Sequence, residues 1–533
     1  EFVAKHPIPV KRTSGSKHPL KYAVPEWRTL EIGNRLSKSW TNAFFRFLSS
    51  PLMDDEATCE MLKSFWEMGH HLERYSSVRE ISSNWLIYET RGLYTVATLF
   101  PEFADAARWL TLAEERLTGE LTKQVYPDGV QWELAPGYGG GVLRAFRRVH
   151  QLGVLNGRPM PPEYVATLER MYDYFAYSSV HGQMAAFSDS SHGSARGLLS
   201  ESFEDFPERT DFQWLATGGR EGDEPDETSR AFPYAGHYVM RSGWDFDQRF
   251  MIVDAGPFGT NHQHEDALSF ELSAYGERLI TDPGTYRYNY DSPWRKFMVS
   301  SLAHNTLAVD HRGQCRRGER ETWIAKEPMP NVWKPGDPLT YLRGDYASGY
   351  GDDGQIAVTH TRSVFFVDGR YWVILDRARP KDAEEHLYES IFMLNAPDAL
   401  AEGDRIVTKR DGANLLIVAA GVEGQVVRVV QGQTEPVRRG WKRGGDTVEP
   451  NPTAVFAQRK SGPATFALLL YPVPEGKPIP RASAEFVPVQ GGADPVAVRV
   501  RLSDGGERLL ADQLGDGEVV VEGVGRVATP GVR

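Results

Sequence analysis

The chain has 533 residues, more than one hydrophobic core accommodates, so several domains are expected. Its 41% hydrophobic and 25% charged residues are those of an ordinary folded protein, and no apolar run reaches the roughly 18 residues that span a bilayer. A net charge of −12 excludes a broadly basic nucleic-acid binder, and two distant cysteines, Cys59 and Cys315, exclude a disulfide framework or a cysteine-based zinc site.

The chain opens on EFVAKHPIPVKR, without a methionine or a signal-peptide core. Processing or truncation is expected at this end, and no targeting segment is legible. Helices follow. In MLKSFWEMGHHLERY (61–75), Leu62, Phe65, Trp66, Met68 and Leu72 recur close to the period of about 3.6 residues. His70 and His71 adjoin on this helix, so their side chains diverge and neither receives a role. Segments 84–100, 104–125, 141–153 and 163–179 continue the pattern, with Pro101 as a break. Successive helices with short connections predict an antiparallel α/α array or toroid rather than a closed four-helix bundle.

Between about 205 and 230 the chain turns polar, and a linker is expected there. Beyond it, YVMRSGW, FMIVDAG, ALSFELSAYG, RIVTKRDGANLLIVAAG and VAVRVRL are short, β-branched and aromatic-rich, as strands are. FFVDGRYWVIL (365–375) predicts a hairpin turning at Asp-Gly. The expected architecture is multidomain α+β: an N-terminal (α/α) toroid over 1–210, an antiparallel β-sandwich over 211–430, and a β-rich extension of it over 431–533.

The chemistry concentrates in 256–310. His262 and His264 stand at i, i+2, so on a strand both would project from one face. Asp282 follows a strand and precedes a Pro-Gly turn, and His304 lies after a further polar segment. Imidazole and carboxylate suit zinc, yet such residues also satisfy one another by hydrogen bonds, and residue types alone leave both readings open. The stretch 287–320 carries seven basic and three acidic residues, a local net charge of +4 in an acidic protein. Such a cluster is either solvated surface or a foothold for a polyanion.

HQHEDALSF (262–270), DPG (282–284) and HNT (304–306) together resemble the C-terminal domain of the heparinase II/III-like polysaccharide lyase superfamily. The resemblance extends to the helical half. There YPDGVQWELAPGYGGG (126–141) is similar to the family pattern D-G-x-x-x-E-x-S-P-x-Y, with Ala135 where serine is common, and SSNWLIYETRGL (82–93) offers the family's helical asparagine. It spans about residues 80–310. It implies that His264, Asp282 and His304 bind a Zn2+ ion of chiefly structural use, and that Tyr138, His262 and Asn84 are catalytic. Without it, Asn84 reads as a helix N-cap and Tyr138 as a packing residue.

The implied reaction is β-elimination in a uronic-acid-containing polysaccharide. The C5 proton is barely acidic beside an ionised carboxylate, so Asn84 and His262 would neutralise that carboxylate as charge moves onto it. Tyr138 would act as base and acid, which asks for a positive surrounding because a free phenol titrates near about 10. Relatives often carry histidine directly after the asparagine, where this chain has Trp85. Tyr138 is therefore expected to serve both roles on one face of the sugar, a syn elimination that favours D-glucuronate or D-mannuronate. Arg287, Arg241, His192, Tyr286, Tyr290 and Trp85 are the candidate substrate contacts, with Tyr288 beside them and with packing as the alternative for the aromatics. The expected partner is an acidic polysaccharide or oligosaccharide, glycosaminoglycan or alginate, with no nucleic acid and no membrane. The family implies a periplasmic or secreted location. A zinc-dependent glycan hydrolase using Glu265, and a non-catalytic polysaccharide-binding protein, are the alternatives.

Overall fold

The computed structural model describes residues 25–533; the opening EFVAKHPIPVKR lies outside the described residues. The chain divides into two compact units. One holds the described residues up to Glu133 together with Tyr138–Asp173, and the other holds Leu134–Gly137 and Tyr174–Arg533.

The first unit is helical. Short α1 (Thr29–Asn34) and α2 (Trp40–Phe47) flank a π-turn and lead to the long helices α3 (Asp55–Tyr75), α4 (Asn84–Leu99), α5 (Ala106–Gln124), α6 (Pro136–Leu155) and α7 (Pro162–Ser178), the last two of which straddle the division. Asp54 starts α3 by accepting the Ala57 N–H (2.8 Å), and Ser83 caps α4. α4 is buried on nearly every side, which is why its sequence lacks a polar stripe. It meets α1 through two glycines: a Cβ on Gly92 would lie 2.6 Å from Gly33 Cα, so this crossing excludes any side chain. The predicted helices 61–75, 84–100, 104–125, 141–153 and 163–179 all fall on observed ones.

The second unit begins with α8 (Ala195–Glu201) and α9 (Thr210–Thr217). α9 lies inside the expected linker; its Phe212 is fully buried, and Gly218 ends it in the left-handed conformation with its N–H on the Leu215 carbonyl. Polar composition hid a helix that a single aromatic anchors. Strands β1 (Arg230–Phe232), β2 (His237–Arg241), β3 (Arg249–Asp254), β4 (Ser269–Ala274) and β5 (Glu277–Ile280) then form an antiparallel meander. After α10 (Pro293–Met298) come β6 (Leu307–Val309), β7 (Val332–Lys334), β8 (Leu339–Tyr346), β9 (Val358–Val367) and β10 (Tyr371–Pro380). They are followed by β11 (Glu385–Met393), β12 (Asp398–Glu402), β13 (Arg405–Lys409), β14 (Asn414–Ala419) and β15 (Val426–Val430). The hairpin β16 (Trp441–Gly444) and β17 (Thr447–Pro450) precedes β18 (Thr453–Ser461) and β19 (Ala464–Val473).

Eight strands make the largest sheet, in the order β12-β13-β14-β19-β10-β9-β8-β7, and four make a second, β15-β18-β11-β6. The predicted hairpin is the β9–β10 pair, with Val367 opposite Tyr371. Alternation along β10 sends Trp372 and Ile374 into one core, shared with Phe270 of the meander and with Phe392 and Phe456 of the four-stranded sheet. It sends Val373 and Leu375 into another, against Val498, Val500 and Leu510 of the small C-terminal sheet. β18 and β19 thus lie inside the four- and eight-stranded sheets, and beyond the separate β16–β17 hairpin new sheets begin only at Ala482. Among the described residues no helix is long and apolar enough to cross a membrane.

Candidate functional site

His262 and His264 are not on a strand. Residues 257–268 form a loop between β3 and β4, and Asn261 and His262 both take left-handed conformations (φ 60° and 58°), so the same-face geometry of a strand does not apply. The loop is pinned rather than free. Arg320 donates to Asn261 Oδ1 (2.8 Å), the Glu265 N–H to the Val299 carbonyl (2.8 Å), and the Asp189 N–H to the His262 carbonyl (3.0 Å).

This loop, the turn after β5 and the segment before β6 bring His264, Asp282 and His304 together, with one ligand atom from each lying within 4.8 Å of the others. All three are buried. His264 Nε2 faces Asp189 Oδ1 (3.1 Å) and His304 Nδ1 faces the Ser300 carbonyl (2.8 Å), acceptors that take an N–H from each ring at that atom. His264 Nδ1 and His304 Nε2 then confront each other as lone pairs 3.1 Å apart, with Asp282 Oδ2 3.7 Å from His304. Burial and the neighbouring acids Asp266 and Glu271 push Asp282 well above the usual carboxylate range, and burial lowers His304 to about 4. The Oδ2 atoms of Asp282 and Asp266 are both buried without a hydrogen-bond partner. Facing lone pairs and an orphaned carboxylate are what a divalent cation would satisfy, and the donor set fits one.

Asp189 organises the surroundings. Its buried carboxylate accepts both arms of the Arg295 guanidinium, the Oδ2–Nη2 bond measuring 2.7 Å, and also faces His262 Nδ1 (3.3 Å) and His264 Nε2. Burial opposes its ionisation, but these three partners hold it far below the normal carboxylate range. One anion therefore positions His264 of the trio and the His262 imidazole beside it, as carboxylates commonly do behind metal-bound histidines. His262 is half-buried, with the Tyr288 ring 6.0 Å away at 75°. Asp189 stands in FSDSSHG, three residues before His192, and nothing local marks it as the anchor for residues more than seventy positions away.

His192 Nε2 is 2.7 Å from Glu271 Oε1, at the edge of a 290 Å³ cavity that also reaches Arg278, Asp282 and Arg443. Tyr286 packs beside Phe297, Trp294 and Trp441. Tyr290 is exposed, with the Arg295 guanidinium 5.9 Å from its ring. Arg287 is exposed and donates to the Asp446 carbonyl (2.6 Å). Arg241 proves different from the expected sugar contact. It is buried, stacks on Trp244 (3.8 Å), and donates to Gln248 and to the Tyr177 and Ser179 carbonyls; burial lowers it to about 9. The basic stretch 287–320 is likewise spent largely on pinning loops: Arg316 stacks on Phe258, Arg317 donates to the Ser348 carbonyl and Arg320 holds Asn261. Glu265 accepts the Arg316 N–H (3.2 Å), and burial raises it to about 7.

In the helical unit, Ser83 takes the capping role and Asn84 is the buried first residue of α4. Asn84 Nδ2 donates to Glu133 Oε2 (2.7 Å) and its backbone N–H to Oε1 (3.2 Å). A carboxylate only accepts, so Glu133 fixes which way the amide points. Tyr138 stands in the first turn of α6, not in a loop, and is half-buried. Tyr88, one turn along α4 from Asn84, is pushed up to about 12 chiefly by burial, and its hydroxyl reaches Gly141, where a Cβ would meet it at 2.5 Å. Trp85 is half-buried beneath the Arg28 guanidinium (5.2 Å).

The chain matches two family models: the Heparinase II/III N-terminus over residues 1–214, and Heparinase II/III-like, C-terminal over residues 224–478. It is 27% identical over 482 residues to a heparin-sulfate lyase of Pedobacter heparinus, covering 86% of this chain and 67% of that protein. It is 26% identical over 471 residues to a heparin-sulfate lyase of Bacteroides stercoris, with the same coverage. A solved structure described as a heparinase III superposes with a TM-score of 0.79 at 25% identity, over 96% of this chain and 79% of the other. With both models matched in order and the motif residues His264, Asp282 and His304 of the C-terminal one gathered as a trio that could hold a metal ion, the chain belongs to the heparinase II/III-like family and is a polysaccharide lyase, cutting by β-elimination.

Proposed function

We propose that the substrate is a glycosaminoglycan-type polymer, with a D-uronate at the cleaved position. The relatives' names put heparin-type chains first among candidates. The reading assigns Asn84 and His262 to the uronate carboxylate and Tyr138 to the proton. The observation that carries it is the preparation of the two carboxylate partners: Glu133 turns the Asn84 amide and leaves one of its two amide hydrogens to donate, and Asp189 holds His262. Donors fixed before substrate arrives cost little reorganisation when charge spreads onto the carboxylate.

In the step itself the Tyr138 phenolate takes the C5 proton as the C4–C5 double bond forms and the C4–O4 bond breaks. The same phenol then gives that proton to O4. One residue serves both roles on one face because Trp85 stands where a second base would be. His264, Asp282 and His304 would hold Zn2+, which supplies a fixed positive charge that ties their three segments together. The helical part is then an (α/α) toroid over 1–210, followed by an antiparallel sandwich over 211–430 and its extension over 431–533. The serial helices and the core shared between the sheets support the toroid and the sandwich, while β18 and β19 carry the sandwich sheets past residue 430. A polymeric substrate would place the protein in the periplasm or outside the cell.

A panel of uronate polymers tests the proposal. Heparin-type chains, hyaluronan, chondroitin and alginate are each assayed for the ultraviolet absorbance of an unsaturated uronate. The wild type should act on at least one D-uronate polymer, and Tyr138→Phe should abolish turnover while melting normally. Efficient cleavage at L-guluronate or L-iduronate, or retained activity in Tyr138→Phe, would refute it.

A further inference from the structure

The hairpin β16–β17 comes from far along the chain to line one cavity with Asp282 of the trio. Its turn uses Gly445 in the left-handed conformation (φ 63°), and its strands pair Lys442 with Glu449 and Arg443 with Val448. Three contacts seat it on the segment after Asp282: Trp441 packs on Trp294 at 4.9 Å, Arg287 donates to the Asp446 carbonyl, and Arg443 Nη1 donates to the Thr285 carbonyl (2.9 Å). The 290 Å³ cavity lies under it, lined by His192, Arg278, Asp282, Lys442, Arg443 and Glu449 among others.

We infer that this cavity is an anion subsite for a sulfate or carboxylate substituent of the polymer, gripped by Arg443, Lys442 and Arg278. The inference rests on the lyase reading above. The charge balance carries it. Arg443 is held in place by neutral acceptors alone, the Gly445 (2.9 Å) and Thr285 carbonyls, so its position is fixed while its charge stays uncompensated. Lys442 meets Glu449 at 3.4 Å, but that pair is partly exposed and holds the ammonium weakly. Arg278 Nε lies 3.3 Å from Glu271 Oε2. Glu271 is fully occupied: it also accepts the Ala186 and Asp282 N–H groups and faces His192. Asp282 belongs to the cation trio. Glu271 is thus paired with Arg278 and Asp282 with the candidate cation trio, which leaves Arg443 and Lys442 as the cations least compensated by the acids around the cavity. At about 30 Å³ per water molecule, the volume admits one charged substituent with its hydration.

The double variant Lys442→Glu/Arg443→Glu tests this, with Arg459→Glu/Lys460→Glu on an exposed strand end as the control for bulk charge. Retardation is measured by electrophoresis in gels containing heparin and in gels containing fully desulfated heparin. Lyase kinetics are measured on the same polymers. The double variant should lose retardation and raise KM about tenfold with kcat little changed, the scale of losing one charge-assisted contact. The control should match wild type, and all three proteins should melt alike. A loss confined to heparin identifies sulfate as the ligand, and an equal loss on the desulfated polymer identifies carboxylate. Behaviour of the Lys442/Arg443 variant like that of the charge control, or a wild type retarded by neither polymer, overturns the subsite. A wild type that is retarded yet forms no unsaturated product refutes the lyase reading and leaves the subsite standing.

Discussion

The amide of Asn84 has one orientation because a buried carboxylate stands on one side of it. Replacing Glu133 by Gln removes that constraint, since a primary amide both donates and accepts, and the Asn84 side chain can turn over. We expect Glu133→Gln to lower kcat by about 10²–10³, the scale of a mispositioned oxyanion-type donor, with KM changing less. Steady-state kinetics check this, and a kcat within twofold of wild type would show that the orientation is immaterial. Buried histidines give a separate, whole-protein readout that originates in single residues. His71 and His237 are each lowered by burial to about 4, against about 6.5 unfolded. Between those values the unfolded chain binds more protons, so the stability they contribute is present above pH 6.5 and drains as pH falls toward 4. Denaturant midpoints should therefore drop on going from pH 7 to 5, and His71→Phe should make the drop shallower.

Among residues, legibility tracked chemistry concentrated in short motifs. His264, Asp282 and His304 were readable because the family motif names them, and the structure gathers them. Asp189 and Arg443 were not, while Asp266 and Glu133 stood in the quoted motifs without an assigned role. Each acts through a partner dozens of positions away, and an isolated acid or base carries no mark of its partner. Arg241 misled because an arginine beside a strand end looks alike whether it meets sugar or three carbonyls.

Elements carry a different lesson. Periodicity located the long helices, most of which bury one side and so write a regular apolar spacing, while α4 showed as a largely apolar run. It failed at α9, where eight residues in a polar context are fixed by Phe212 and a glycine cap, and at 257–268, where two left-handed residues replace the expected strand. It also gave no sign that β16–β17 would fold back over the turn after β5. The α1–α4 crossing makes an element-scale prediction. Gly92→Ala places a methyl 2.6 Å from Gly33 Cα, and the helices must part. A loss of about 1–3 kcal/mol is expected, the usual cost of overpacking, and urea unfolding measures it. A variant as stable as wild type would mean the crossing relaxes freely.

At the scale of the molecule, the helical half followed by a β half was legible from the change of hydrophobic period. Which sheets each late strand joins was not, because pairing such as β10 with β19 spans about a hundred residues that sequence pattern does not connect. The trio His264, Asp282 and His304 comes from three separate segments, so a cation held there should show in global stability. Chelation should lower the melting temperature, restored by Zn2+, because a ligand bound only by the folded state stabilises it. His304→Ala should bind less than one metal per chain by elemental analysis and should not respond to the chelator. An equal response in both proteins would remove the trio from the account. The same molecule-wide claim, that the chain eliminates rather than hydrolyses, has one direct measurement. Polymer is cleaved in ¹⁸O-enriched water and the products are weighed by mass spectrometry. The account predicts new ends carrying the unsaturated uronate mass, with no solvent oxygen incorporated; products one ¹⁸O heavier and without unsaturation would contradict it.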